Sequence, residues 1–97
     1  MNKVIRDGKV AVIYSPDYGC GWSTWSGEPE KLMFDPELVA LIESGDVEAV
    51  DKYCQTVYDR SPELDIFWVP EGEEFVILDY DGSEGVQLKK DFIWFKA

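Results

Sequence analysis

The stretch from Met33 to Arg60 carries the signals of two consecutive helices, and these signals constrain the fold more than any other feature. Asp35 is an N-cap candidate, and Pro36 fits the first helical position, where its missing N–H costs no hydrogen bond. Gly45 and Asp46 predict the C-cap of the first helix and the N-cap of the second. Apolar residues recur at helical spacing in both segments, so the pair presents one side to a core. These residues are Leu38, Leu41, Ile42, Val47, Val50, Cys54 and Val57.

The segment before the helices predicts a β-hairpin. Asp7-Gly8 lies between two β-branched runs, and both residue types tolerate the positive φ angles of a two-residue hairpin turn. We therefore expect strands near Lys3–Arg6 and Lys9–Tyr14. The glycine-rich segment Ser15–Gly27 follows, and then a polar link to the helices.

The segment after the helices is extended again. The runs LDIFWV, EEFVILDY, GVQLK and DFIWF are rich in β-branched and aromatic residues, which favour strands. Turn residues at 70–72 and 81–83 separate them. The sequence predicts one α+β domain over residues 1–97, with an antiparallel sheet of about five to six strands and a central helical pair packed on one face.

The charge excludes several partners. Twenty acidic residues against nine basic ones give a net charge of −11, which repels nucleic-acid phosphates and anionic membranes. The chain has no membrane-length apolar segment and no signal-peptide pattern, which predicts a cytoplasmic protein. The charge favours a basic partner, although solubility alone also accounts for it. The acidic residues predicted to form a partner patch along one hairpin are Glu71, Glu73, Glu74, Asp79, Asp81 and Glu84.

The sequence offers no recognisable catalytic or metal site. The absence of histidine excludes Ser-His-Asp and Cys-His catalysis and histidine-based metal sites. Asp79–Glu84 resembles the start of a calcium loop, but the twelfth position is Lys90 where an EF-hand has a glutamate, so a hairpin turn is the better interpretation. Cys20 and Cys54 lie far apart in sequence, which predicts free thiols, with Cys54 buried on a helix. We expect no enzyme activity, no cofactor and no metal.

The segment Ser15–Gly27 is the principal candidate for a site. Large aromatic rings alternate with glycines there, which suits either a planar ligand or an aromatic contact surface in a protein interface. A segment of this length without regular structure is also long for a simple connector. The opposing interpretation is that Trp22 and Trp25 pack in the core. The candidate binding residues are Tyr14, Tyr18, Gly19, Gly21, Trp22, Ser23, Thr24 and Trp25.

Three stretches together resemble a family of small acidic proteins of tailed bacteriophages. They are VIRDGKVAVIYSPDYGCGWSTWSG, LMFDPELVALIESGD and WVPEGEEFVILDYDGSE, and the similarity spans nearly the whole chain. The resemblance implies a phage origin and action inside a bacterial host. It carries no activity onto individual residues.

Two functions follow as hypotheses. In the first, the chain is a non-enzymatic interaction protein that inhibits a basic host or defence factor, for example one with a nucleic-acid-binding face. In the second, it binds or sequesters a small, planar, nucleotide-like ligand through residues 15–27. The oligomeric state is left open.

Overall fold

The computed structural model describes residues 2–19 and 21–97. Strand β1 (Ile5–Arg6) and strand β2 (Lys9–Tyr14) form the predicted antiparallel hairpin, although β1 is shorter than expected. Asp7 and Gly8 have φ angles of 53° and 74°, the positive values that the turn requires.

Three helices follow. The first, α1 (Pro29–Met33), is a short helix that the sequence did not predict, and it includes most of the polar link before the helical pair. The helix α2 (Pro36–Ser44) begins and ends as predicted, and α3 (Val47–Tyr58) begins after the predicted N-cap Asp46. Gly45 ends α2 with a φ angle of 77°, in the left-handed region that glycine reaches without strain.

The strands form two sheets, and the prediction of a single sheet of five to six strands is wrong. Strand β3 (Asp65–Pro70) pairs antiparallel with β2, giving a three-stranded sheet in the order β1-β2-β3. Strands β4 (Phe75–Tyr80) and β5 (Ser83–Leu88) pair with each other in a separate two-stranded sheet. The broader prediction of an antiparallel α+β fold is confirmed.

The physical reason for two sheets is that β2 is apolar on both faces. Its side chains alternate, so Ala11 and Ile13 pack with the helices while Val10 and Val12 face the other way. Covering that second face requires an apolar surface across the sheet, rather than another strand beside it. The β4–β5 hairpin supplies this surface with its inner side chains Phe75, Ile77, Val86 and Leu88.

The last predicted strand is also absent. A 3-10 turn over Lys89–Asp91 ends β5, and residues 92–97 have no regular secondary structure. In the described ranges, no helix is both long enough and apolar enough to span a bilayer. Cys54 lies buried in α3 as expected, whereas Cys20 lies outside the described residues.

Candidate functional site

The carboxylate of Glu84, on the β4–β5 hairpin, accepts several hydrogen bonds from the segment 15–27. Glu84 is only 4% exposed, and its Oε1 accepts a 3.0 Å hydrogen bond from the backbone N–H of Ser15. Its Oε2 accepts bonds of 2.9 and 3.0 Å from the N–H groups of Trp22 and Thr24, and another from the Thr24 hydroxyl. Glu84 therefore positions the first residue of the segment and the turn at Trp22 and Thr24, and it is unavailable for the surface patch that the sequence predicts.

A second charged side chain holds the same segment from the helical side. Arg60 donates hydrogen bonds of 3.1 Å to the carbonyl oxygen of Gly21 and 2.6 Å to that of Trp22. Its guanidinium carbon also lies 5.3 Å from the centre of the Trp22 ring, within range of a cation–π interaction. Glu84 and Arg60 thus bind the N–H and C=O groups, respectively, of one turn.

Trp22 belongs to the core and offers no ligand surface. Its side chain is fully buried, its indole N–H donates a 2.9 Å hydrogen bond to the carbonyl oxygen of Leu32, and its ring meets that of Tyr58 edge-on at 5.1 Å. Ser23 is also buried. The sequence predicted both as candidate binding residues. The structure corrects the prediction for these two residues. The pattern of glycines and aromatic residues does not show which rings are buried, and here Trp22 packs in the core while Trp25 is exposed.

Three exposed aromatic rings lie around the tip of the β4–β5 hairpin, which also carries two carboxylates. Tyr18 is 69%, Trp25 48% and Tyr80 75% exposed. We give the name aromatic–acidic patch to the residues that surround this tip, which are Tyr18, Trp25, Asp79, Tyr80 and Asp81. Side chains alternate along β4, so Asp79 and Tyr80 lie on opposite faces of the strand and the patch wraps around the tip. It joins one part of the predicted ligand segment to one part of the predicted acidic patch.

Specific contacts hold the aromatic–acidic patch together. The Trp25 indole N–H donates a 2.9 Å hydrogen bond to Asp79 Oδ2, and the rings of Tyr18 and Tyr80 meet edge-on at 6.1 Å. The backbone N–H of Gly19 donates a 2.7 Å bond to the carbonyl oxygen of Asp81. Each contact joins the segment 15–27 to the tip of the β4–β5 hairpin, so the patch is built across two distant parts of the chain.

Gly21 fixes where the Trp25 ring lies. A Cβ atom at position 21 would come within 2.7 Å of two Trp25 ring atoms and 2.9 Å of the Thr24 hydroxyl oxygen. Such contacts are shorter than van der Waals separation, so any side chain at position 21 displaces the ring. The glycine therefore serves close packing beneath the patch.

The predicted acidic hairpin surface divides into two. Glu73 and Glu74 lie before β4 and form ion pairs with Lys90 and Lys89 at 3.5 and 3.4 Å. Asp79 lies at the far end of β4, about 17 Å along the strand from Glu74 at roughly 3.3 Å per residue. Glu71, Glu73 and Glu74 therefore belong to the opposite end of the hairpin from Asp79 and Asp81.

Tyr14 lies apart from the patch. It is the last residue of β2, half-buried and paired in register with Asp65. Burial, together with the nearby Asp65 carboxylate, raises the pKa of its phenol. The Thr24 side chain donates a hydrogen bond to Glu84. Tyr14 and Thr24 are therefore not part of the aromatic–acidic patch.

A hollow of about 420 Å³ lies beside Trp25, and two basic side chains line it. Lys31 and Arg60 both line it, although the segment 15–27 itself has no basic residue. Lys31 also approaches Glu28 at 3.8 Å. Sequence reasoning missed both basic residues because neither belongs to a motif. Tyr80, by contrast, could be found from the alternation of side chains along β4.

The described residues contain no cluster of three or more histidine, cysteine, aspartate or glutamate side chains that could hold a metal ion. Comparisons of the chain with protein-family models, with curated proteins and with solved structures give no match. The geometry of the site therefore carries the functional argument.

Proposed function

We propose that this protein is a non-enzymatic binding module that engages a basic protein partner through the aromatic–acidic patch. The observation that carries the proposal is the arrangement of three exposed rings, Tyr18, Trp25 and Tyr80, around the hairpin tip that carries Asp79 and Asp81. Tyrosine and tryptophan are the residues that most often dominate binding energy in protein interfaces.

The chemistry of the patch fits arginine and lysine side chains. Their cationic groups stack on aromatic faces, and carboxylates accept their charge-assisted hydrogen bonds. The net charge of −11 adds a long-range field that accelerates encounter with a basic protein. The same field opposes direct binding to nucleic acid.

The patch is also held rigid before any partner arrives. Glu84 and Arg60 hold the backbone just before Trp25 through Thr24 and Trp22. Asp79 orients the Trp25 indole by accepting its N–H hydrogen bond. A preordered surface loses less conformational entropy on binding than a mobile loop does. The resemblance to acidic phage proteins supports a partner in a bacterial host, where covering a basic face would block access of nucleic acid to it.

The experiment begins with affinity purification of the partner from bacterial lysate and then measures its Kd for four variants. Trp25→Ala and Tyr80→Ala should each weaken binding about 30-fold, the effect of losing an interface residue worth roughly 2 kcal/mol. Added salt should weaken binding further, because it screens the opposite charges. Val76→Ala removes a similarly exposed apolar side chain near the other end of β4, outside the patch, and should leave the Kd unchanged.

The fourth variant combines Trp25→Ala with Tyr80→Ala and decides the question. If the double variant is folded and binds the partner as tightly as the original protein, the patch is not the interface. The proposal is then wrong, whatever the identity of the captured protein.

The hollow beside Trp25 supports a second candidate function, the binding of a small planar anion. Trp25 offers a ring for stacking, and Lys31 and Arg60 offer positive charge. A nucleotide panel tests it by thermal unfolding, since a ligand that binds the folded state raises Tm. The increase should disappear in Lys31→Ala. A panel without any effect on Tm would contradict this second function.

A further inference from the structure

An apolar groove lies on the helical side of the molecule, outside the aromatic–acidic patch. It has a volume of about 530 Å³ and lies between the junction of α2 with α3 and the segment before β3. This volume falls in the range of sites that hold a substantial ligand. The lining consists of Ile42, Gly45, Val47, Glu48, Val50, Asp51, Ser61, Pro62, Glu63 and Leu64.

The lining combines apolar side chains with negative charge. Ile42, Val47, Val50 and Leu64 supply the apolar surface, while the three charged residues in the lining are all acidic. An occupant that matches this groove must therefore carry large apolar side chains together with positive charge.

One segment of the same chain has both properties. Ile93, Trp94 and Phe95 are 80%, 75% and 92% exposed, an unusual run of uncovered apolar side chains for a small domain. Residues 89–97 contain three lysines and one aspartate. Lys89 and Lys90 form ion pairs with Glu74 and Glu73, so Lys96 supplies the positive charge of residues 92–97. We call residues 92–97 the aromatic tail; it is the apolar end of this basic stretch.

We propose that the aromatic tail of one copy occupies the apolar groove of a second copy, and that the exchange is reciprocal in a symmetric dimer. Each copy has one exposed apolar tail and one acidic, apolar groove. Binding of the tail in the groove of a second copy therefore removes both apolar surfaces from water. A two-fold axis makes the two contacts equivalent and closes the assembly. The proposal is independent of the aromatic–acidic patch and of its partner.

The topology favours exchange between copies over folding back within one. The aromatic tail follows Leu88, which pairs with Phe75 at the far end of the hairpin from Glu84. Glu84 bonds to Ser15 at one end of the three-stranded sheet, the end where Asp65 begins β3. The groove includes Leu64 at that same end. The groove extends from there to the end of α2, where Glu43 pairs with Arg6 near the other end of the sheet. The separation of tail and groove lies across the sheet, because α2 and α3 pack on its Ala11 and Ile13 face whereas the β4–β5 hairpin packs on its Val12 face. The tail therefore leaves the hairpin on the face of the sheet opposite the groove.

The contact area suffices for a stable dimer. Two large aromatic side chains from each of two tails bury roughly 600–1,000 Å² at about 150–250 Å² per ring, and the grooves that they cover contribute a comparable area. Specific interfaces bury roughly 1,200–2,000 Å² in total. Opposite charges on tail and groove offset part of the repulsion between two acidic proteins.

The test measures molar mass by light scattering and the dimer Kd by sedimentation, using the full chain. The original protein should form a dimer that dissociates as salt is raised. A tail variant, Trp94→Ser with Phe95→Ser, and a groove variant, Val47→Glu, should each raise the dimer Kd by at least about 30-fold. Val57→Glu places the same substitution on α3 outside the groove and should dimerise normally. Circular dichroism verifies that each variant is folded.

Mixing the groove variant with the tail variant tests whether the tail of one copy binds the groove of the other. The groove variant keeps an intact tail and the tail variant keeps an intact groove, so the mixture should form a heterodimer with one contact. A monomeric original protein overturns the proposal, whether its tail is free, binds another protein or folds back on its own groove. A groove variant that dimerises normally also overturns it, as does a mixture of the two folded variants that stays monomeric.

Discussion

The backbone N–H of Trp22 donates a 2.9 Å hydrogen bond to the carboxylate of Glu84, which lies 62 positions later in the chain. The bond links a buried core residue to the strand behind the exposed patch. Because Trp22 and Trp25 lie in one short turn, the same carboxylate that stabilises the fold also sets the position of the surface ring. The stability of the fold and the position of the exposed Trp25 ring are therefore coupled through Glu84.

Replacement of Glu84 by glutamine should destabilise the protein by about 2–4 kcal/mol. The amide keeps the size of the side chain but replaces one acceptor oxygen with a donor group that faces other donors. Hydrogen bonds to charged groups contribute roughly 1.5–3 kcal/mol, and unsatisfied buried donors cost a similar amount. Urea unfolding measures the change. Glu74→Gln, at an exposed ion pair, should change stability by less than about 0.5 kcal/mol. Equal effects of the two variants would contradict the role of Glu84.

Substitution of the two tryptophans in the segment 15–27 should lower the stability of the protein by clearly different amounts. Trp22→Ala removes a fully buried ring and should cost about 3–5 kcal/mol. Trp25→Ala removes a half-exposed ring and one hydrogen bond, so its cost should stay near 1 kcal/mol. Thermal unfolding of both variants provides the measurement. A larger loss of stability for Trp25→Ala than for Trp22→Ala would show that the exposed ring, and not the buried one, carries the packing.

Local signals account for the elements that the sequence predicted well. The Asp7-Gly8 turn, the Asp35 and Asp46 N-caps and the Gly45 C-cap each depend on the backbone preferences of a few adjacent residues. The division into two sheets depends instead on which surface covers Val10 and Val12. No local pattern distinguishes a strand that pairs beside β3 from one that packs across it.

The candidate site was predictable only in its parts. Aromatic rings among glycines indicated the segment 15–27, and clustered carboxylates indicated the β4–β5 hairpin. Their union depends on the bonds from Trp25 to Asp79 and from Gly19 to Asp81, which join distant positions. The burial of Glu84 was hidden because an acidic residue in a hairpin is usually at the surface.

High pH should destabilise the protein through Tyr53 and Tyr58. Burial and hydrogen bonds to the Asp35 carboxylate raise the pKa of both phenols well above 10.0, their ordinary value. Above pH 10 the unfolded chain loses these protons while the folded protein keeps them, so the free energy of unfolding falls with pH. Tyr53→Phe/Tyr58→Phe should lose less stability over this pH range than the original protein does. Chemical unfolding at several pH values measures both slopes, and an unchanged slope would contradict the assignment.

The last prediction concerns Gly21, where packing rather than backbone conformation requires a glycine. A methyl group at this position would meet the Trp25 ring at 2.7 Å, so Gly21→Ala should move the ring away from Asp79. Overpacking of this kind typically costs about 1–3 kcal/mol. Gly27 provides the matched control, because the space around it is open and its φ angle is not in the left-handed region. Gly27→Ala should be neutral or stabilise by roughly 0.4–1 kcal/mol, by reducing the freedom of the unfolded chain. Urea unfolding compares the two stabilities, and the NMR signal of the Trp25 indole N–H, which donates to Asp79, reports the displacement of the ring. If Gly21→Ala matches Gly27→Ala in both measurements, the close contact beneath the patch does not exist in solution.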